Sequence, residues 1–81
     1  MDQLSERVIN VIARTQKIPA ESIQLESRLD ALGIDSFDGV NILFALEDEF
    51  DIRIPDNAKE LKSIRDIVEN MSVILSSERQ H

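Results

Sequence analysis

The chain has no cysteine in its 81 residues. It can form neither a disulfide framework nor a thiolate metal site, and it has no thiol nucleophile, so any thiol chemistry must use an imported sulfur. Histidine is almost as scarce, with His81 at the very end as the single example. A serine nucleophile needs a positioned base, and a lone terminal histidine is a poor source of one, which argues against self-contained serine catalysis. Glycine and proline occur twice each, and no low-complexity tract, internal repeat or linker divides the chain. No apolar run approaches the roughly 18 residues of a membrane span. The acidic, amphipathic start MDQLSERVINVI lacks the apolar core of a signal peptide, so the expected compartment is the cytoplasm.

What is present is charge of one sign. Sixteen acids stand against nine bases, a net charge of −7. This disfavours nucleic acid and anionic membrane as partners and favours a basic protein surface. The acids are concentrated: Asp35, Asp38, Glu47, Asp48, Glu49, Asp51 and Asp56 lie within one short stretch, against Arg53 alone. With 42% hydrophobic and 31% charged residues the composition is that of a folded domain. We expect a single domain over 1–81, near the size at which only about 60% of the unfolded surface can be buried.

Leu4, Val8, Val11 and Ile12 recur at the spacing of one helix face, which predicts a helix over about 3–15 with Asp2 placed to cap it. From Lys17 to Asp35 no period is sustained, and the spaced Ile18, Ile23, Leu25, Leu29 and Leu32 read as a long loop packed by its own aliphatics. Phe37, Val40, Leu43, Phe44, Leu46 and Phe50 predict a second helix from Asp35 or Ser36 to about Phe50. Pro55 disfavours helix at Ile54, and Asp56 can cap a short helix over about 57–62. Ser63 with Asp66 three residues on begins a last helix carrying Ile64, Ile67, Val68, Met71, Ile74 and Leu75, followed by a frayed tail over 76–81. The expected fold is all-α: a small four-helix bundle of three longer helices and one short one.

Ser36 sits where the polar turn Leu-Gly-Ile-Asp meets the second helix. Either Ser36 is the cap, as serine often is, or Asp35 caps, Asp38 reaches back, and the serine hydroxyl is left facing solvent. A serine modified by another enzyme needs only exposure and a docking surface, and the acidic stretch could supply that surface.

The run Leu32-Gly33-Ile34-Asp35-Ser36-Phe37-Asp38, with Val40, Ala45-Leu46-Glu47-Asp48-Glu49-Phe50 and Ile54-Pro55-Asp56, resembles the acyl carrier protein family. The resemblance extends more weakly from about Asp2 to Leu75. It implies that Ser36, with Asp35 beside it, receives a 4'-phosphopantetheine arm from coenzyme A, delivered by a separate magnesium-dependent phosphopantetheinyl transferase. The arm's thiol would carry acyl groups as thioesters among the enzymes of fatty-acid, polyketide or related lipid biosynthesis. A phosphodiester at a helix start meets unpaired N–H groups and the positive end of the dipole.

By the same resemblance Phe37, Asp38, Asn41, Glu47, Asp48 and Asp56 would meet basic patches on acyl-loading, synthase and acyltransferase partners. Phe44, Leu46, Phe50, Ile54 and Ile67 read first as core, and the family implies that such residues line a cavity for the acyl chain. Glu47, Asp48 and Glu49 sit at the negative end of the helix dipole, where each costs up to about 0.3–1 kcal/mol, a broken local rule that hints at function. Gly39 within a helix costs about 1 kcal/mol relative to alanine, which suggests either a reshaped cavity or close helix packing. Asn41, Arg53 and Arg28 depart from the family's usual acid, acid and aromatic, and the short helix carries Lys59 and Lys62. These changes weaken the acidic surface and fit a stand-alone carrier of a specialised pathway as well as a housekeeping one. An aminoacyl or peptidyl carrier and an unmodified acidic helical adaptor are the alternatives. Asp35, Asp38, Glu47 and Asp51 lack the loop spacing of a calcium site.

Overall fold

The computed structural model describes residues 3–54 and 61–78, for 77 and 78 the backbone only. Its architecture is all-helical, in the order α1 (Gln3–Gln16), a 3-10 turn (Ala20–Ser22), α2 (Ser36–Phe50) and α3 (Ile64–Glu78). Among the described residues there is no strand, only an isolated antiparallel bridge between Arg28 and Ser63. The α1 cap expected at Asp2 and most of the short helix expected at 57–62 lie outside the described residues; Leu61 and Lys62, the last two of that range, are not helical.

α1 packs against both other helices. Val8 and Ile12 of α1, Ile42 and Leu46 of α2, and Ile64, Ile67 and Met71 of α3 form the centre of the core. Two residues in the left-handed region stop the first two helices. Lys17 (φ 60°) follows α1, with the Ile18 N–H donating back to the Ala13 carbonyl at 3.0 Å. Asp51 (φ 55°) caps α2, with the Ile52 N–H on the Glu47 carbonyl at 3.1 Å. These are the backbone reversals that satisfy otherwise unpaired last-turn carbonyls.

The long loop is ordered by two devices. Ile23 and Ile34 are buried, and Ile18, Leu25, Leu29 and Leu32 pack against the core. Its backbone also pairs with the segment entering α3: Leu29 N–H donates to the Lys62 carbonyl, Ile64 N–H to Ser27 and Arg65 N–H to Leu25, all within 3.0 Å. Gly33 (φ 78°) makes the tight reversal that delivers the chain to α2, closed by Ile34 N–H on the Leu29 carbonyl at 2.9 Å. A side chain at that φ would be strained.

Two expectations are corrected. The apolar positions that predict α2 do not share one face: Phe44 (62% exposed) and Val40 (41%) face solvent, as does Phe37 (75%), which the resemblance sets on the partner-facing side, whereas Ile42 and Leu46 are buried. At 100° per residue these sets lie on opposite faces, and a helix apolar on both sides carries no single phase in its pattern. The tail was expected to fray from Ser76, yet α3 continues to Glu78. An apolar stripe ends where apolar residues end; a helix ends only where a breaker or cap stops it, and Ser-Ser-Glu contains neither.

Candidate functional site

The start of α2 resolves the capping question. Asp35 has extended backbone (φ −89°, ψ −175°), and its Oδ1 accepts the Asp38 N–H at 2.9 Å. The reciprocal bond from the Asp35 N–H to Asp38 does not form. With Asp35 as cap, Ser36 is the first helical residue and is exposed. A carboxylate at this end also complements the helix dipole.

Beside Ser36 opens a cavity of about 400 Å³. Ser36, Gly39, Val40 and Leu43 supply the α2 wall, at the three- and four-residue spacing of one helix face. Ile67 and Leu61 close the far side, and Arg28, Asp30 and Lys62 stand among its polar residues. A Cβ built at Gly39 meets no atom within 4 Å, so the glycine marks open space at the cavity wall and not a close helix approach. Arg28 bonds Asp30 through Nε (3.1 Å) and Nη2 (3.3 Å), and this hydrogen-bonded guanidinium holds the Asp30 carboxyl below the usual range.

The residues expected to line an acyl cavity scatter. Ile67 lines the cavity beside Ser36. Ile54 borders a void of about 10 Å³ that shares Leu43, Leu61 and Ile67 with it. Leu46 is fully buried core and borders neither. Phe44 is on the outer face, so its expected core and cavity role is wrong for this fold. Phe50 lies at the other end of α2, where the Arg7 guanidinium stacks 4.3 Å from its ring centre. Gly39, Val40, Leu43 and Leu61 were not among the expected lining residues. Counting helix spacing forward from Ser36, instead of from the bulkiest apolar residues, finds the first three.

The acidic stretch also divides. Asp35 caps α2. Glu47 is half-buried and its Oε2 accepts the Ile54 N–H at 2.7 Å. Glu49 lies between Arg7 (3.3 Å) and Arg14 (3.4 Å) of α1. Asp48 is exposed, as is Asn41, and both lie on the face that carries Phe37 and Phe44. Asp38 is half-buried, and Asp56 lies outside the described residues.

A family model described as "Phosphopantetheine attachment site" matches residues 6–71. The chain is 45% identical to the acyl carrier protein of Clostridium acetobutylicum over 65 residues, covering 78% of this chain and 84% of that one. It is 43% identical to the mitochondrial acyl carrier protein of Saccharomyces cerevisiae over 74 residues, covering 84% of this chain and 59% of that one. The fold superposes on a crystal structure of an acyl carrier protein from Thermotoga maritima with a TM-score of 0.79, at 19% identity, covering 95% of this chain and 98% of that one. The chain therefore belongs to the acyl carrier protein family, a non-enzymatic carrier whose prosthetic group is 4'-phosphopantetheine.

Proposed function

We propose that Ser36 is the attachment point of the 4'-phosphopantetheine arm, and that the chain carries acyl intermediates of fatty-acid or related lipid biosynthesis between separate enzymes. The observation that carries this reading is the division of labour at the start of α2: Asp35 takes the cap, which leaves the exposed hydroxyl of Ser36 at the edge of a cavity. When attached, the arm supplies a terminal thiol and hence the thioester by which acyl groups are held.

The chain's own residues do the rest. Asp35 fixes the first turn so that Ser36 projects outward, where a transferase with its own base can reach it. The apolar wall of Gly39, Val40, Leu43, Leu61 and Ile67 offers an acyl chain an alternative to water, worth about 0.8 kcal/mol for each methylene buried. On the outer face of α2, Phe37, Asn41, Phe44 and Asp48, with Asp38 at their edge, form a docking strip for the phosphopantetheinyl transferase and for loading, synthase and acyltransferase enzymes with basic patches. Two exposed phenylalanines forgo burial inside the domain, a cost that a partner surface would recover. In this reading Glu47 braces the fold and Asp48 is the acid that steers partners. Among the described residues no helix is long and apolar enough to cross a membrane, which is compatible with a cytoplasmic shuttle.

Incubation with coenzyme A and a phosphopantetheinyl transferase, followed by intact-mass measurement, tests the assignment. The wild-type chain should gain the mass of one arm and Ser36→Ala none. No gain with several transferases, for a protein folded by circular dichroism, would favour the unmodified adaptor.

A further inference from the structure

The cavity beside Ser36 carries two bases on its wall, Arg28 and Lys62, in a chain where acids outnumber bases sixteen to nine. They come from distant segments and are held together by backbone pairing: Leu29 N–H donates to the Lys62 carbonyl at 3.0 Å, and Arg28 bridges to Ser63. Both side chains are exposed. Arg28 is oriented by its two bonds to Asp30. The Lys62 ammonium has no ion-pair partner among the described residues. The neighbouring Asp66 carboxylate feels its charge but spends Oδ2 on the backbone N–H groups of Lys62 and Ser63, at 2.9 and 3.2 Å. Of the acids on the cavity wall, Asp30 is engaged by Arg28 and Asp35 by the Asp38 amide.

We propose that Arg28 and Lys62 form an oxyanion-binding pair at the rim of this cavity, and that the anion they hold is the phosphodiester joining the arm to Ser36. The inference rests on the assignment of Ser36. A phosphodiester there places a full negative charge beside the Asp35 carboxylate and near Asp38, in a protein that is already anionic. Arg28 and Lys62 are the bases among the described residues lining that cavity. Lys62 offers an unpaired charge and Arg28, which shares its charge with Asp30, its remaining N–H donors, so together they offset the repulsion and draw the arm across the opening instead of away from it. With the Nε and Nη2 edge bonded to Asp30, Arg28 keeps the N–H donors of Nη1 and the outer N–H of Nη2 for phosphate oxygens, and Lys62 offers a point charge. A carboxylate at the far end of an acyl cargo presents the same oxyanion chemistry, and the two sources can be separated.

The experiment uses the full chain, with loading at Ser36 first verified by mass. Nitrogen-15 NMR then follows the Arg28 guanidinium Nη nitrogens and Lys62 Nζ in the unmodified protein, the arm-bearing protein, and arm-bearing proteins acylated with an uncharged or a carboxyl-terminated chain. Both signals should shift when the arm is added and stay put when an uncharged acyl group follows. Lys17, away from the cavity, should not move. The shift should shrink in high salt, as exposed charge pairs do. The phosphorus-31 resonance should move in Lys62→Gln and in Arg28→Gln, and further in the double variant. These changes keep the backbone carbonyl that accepts the Leu29 N–H and alter only exposed side chains. A response seen only with the carboxyl-terminated acyl group overturns the phosphodiester assignment and gives the pair to the cargo. Loaded protein in which neither base responds under any condition overturns the site. Failure to load would instead overturn the assignment of Ser36.

Discussion

The two ends of α2 carry the same kind of side chain and use it in opposite ways. At the N-terminal end an acid works with the helix dipole: Asp35 satisfies a first-turn N–H and thereby leaves Ser36 exposed. At the C-terminal end three acids sit against the dipole, and two are committed to the fold. Glu47 holds the Ile54 amide, and Glu49 joins α2 to Arg7 and Arg14 of α1. Net charge in a stretch of sequence is thus a poor measure of charge offered to a partner. What counts is which carboxylates are left over once the backbone and the neighbouring helix have been served, and at this end those are Asp48 within the helix and Asp51 at its cap.

The largest effect expected from this contrast is all-or-none. Ser36→Ala should lose the added arm entirely while its unfolding free energy stays within about 0.5 kcal/mol of wild type, as for an exposed residue with no structural partner. A large loss of stability would mean that Ser36 belongs to the scaffold after all, and the difference between the two ends would dissolve.

A second contrast runs across α2 instead of along it. Leu46→Ala removes a fully buried side chain and should cost about 2–5 kcal/mol in chemical denaturation. Phe44→Ala deletes a larger side chain from the outer face and should change stability by no more than about 0.5 kcal/mol, while slowing transfer of the arm. If Phe44→Ala proved as costly as Leu46→Ala, the inner and outer faces would be assigned the wrong way round.

Within the acidic end, Glu47→Ala should lower stability by about 1 kcal/mol, because the Ile54 N–H loses its acceptor. Glu47→Gln, which keeps an oxygen in place, should recover most of it. Asp48→Ala should raise stability slightly, by up to about 0.3–1 kcal/mol as an acid leaves the negative end of the dipole, while lowering the association rate with the transferase and flattening its salt dependence. Equal effects of Glu47→Ala and Asp48→Ala on association would erase the distinction between bracing and steering acids.

The smallest effect concerns the start of α3, which repeats the capping logic of α2. Asp66 Oδ2 accepts the Lys62 and Ser63 amides, while Ser63 Oγ accepts the Asp66 N–H at 3.3 Å. The Lys62 backbone bond is the main reason its carboxyl sits below the usual range. A carboxyl with a lower value folded than unfolded contributes stability that is complete above the unfolded value and is lost as pH falls through the folded one. Melting temperature should therefore be insensitive to this group down to about pH 4 and decline below it, and Asp66→Asn should flatten that acid decline.

How much of this could be read from the sequence depends on how local each interaction is. The Ser63–Asp66 box and the spans of α1 and α2 rest on neighbours within four residues, and the residue types announce them, whereas residue types alone leave the α2 cap open between Asp35 and Ser36, two good cap residues side by side. The phase of α2 could not be read, because Phe37, Val40 and Phe44 on one side are as apolar as Ile42 and Leu46 on the other. The roles of Glu47 and Glu49 were hidden for a different reason. Their partners arrive through the left-handed turn at Asp51 and from α1, and neither approach leaves a periodic mark. The cavity beside Ser36 is equally non-local: its walls come from α2, the loop and the entry to α3, joined by backbone bonds that any residue type can make.

The most direct test of the central claim is to locate the arm. Cleavage after Arg28 and Arg53 releases residues 29–53, a peptide in which Ser36 is the only hydroxyl-bearing side chain. Mass spectrometry of transferase-treated protein should find one 4'-phosphopantetheine on that peptide and none elsewhere. An arm on any other peptide, or a bare 29–53 peptide from protein that has gained the arm's mass, would contradict the account.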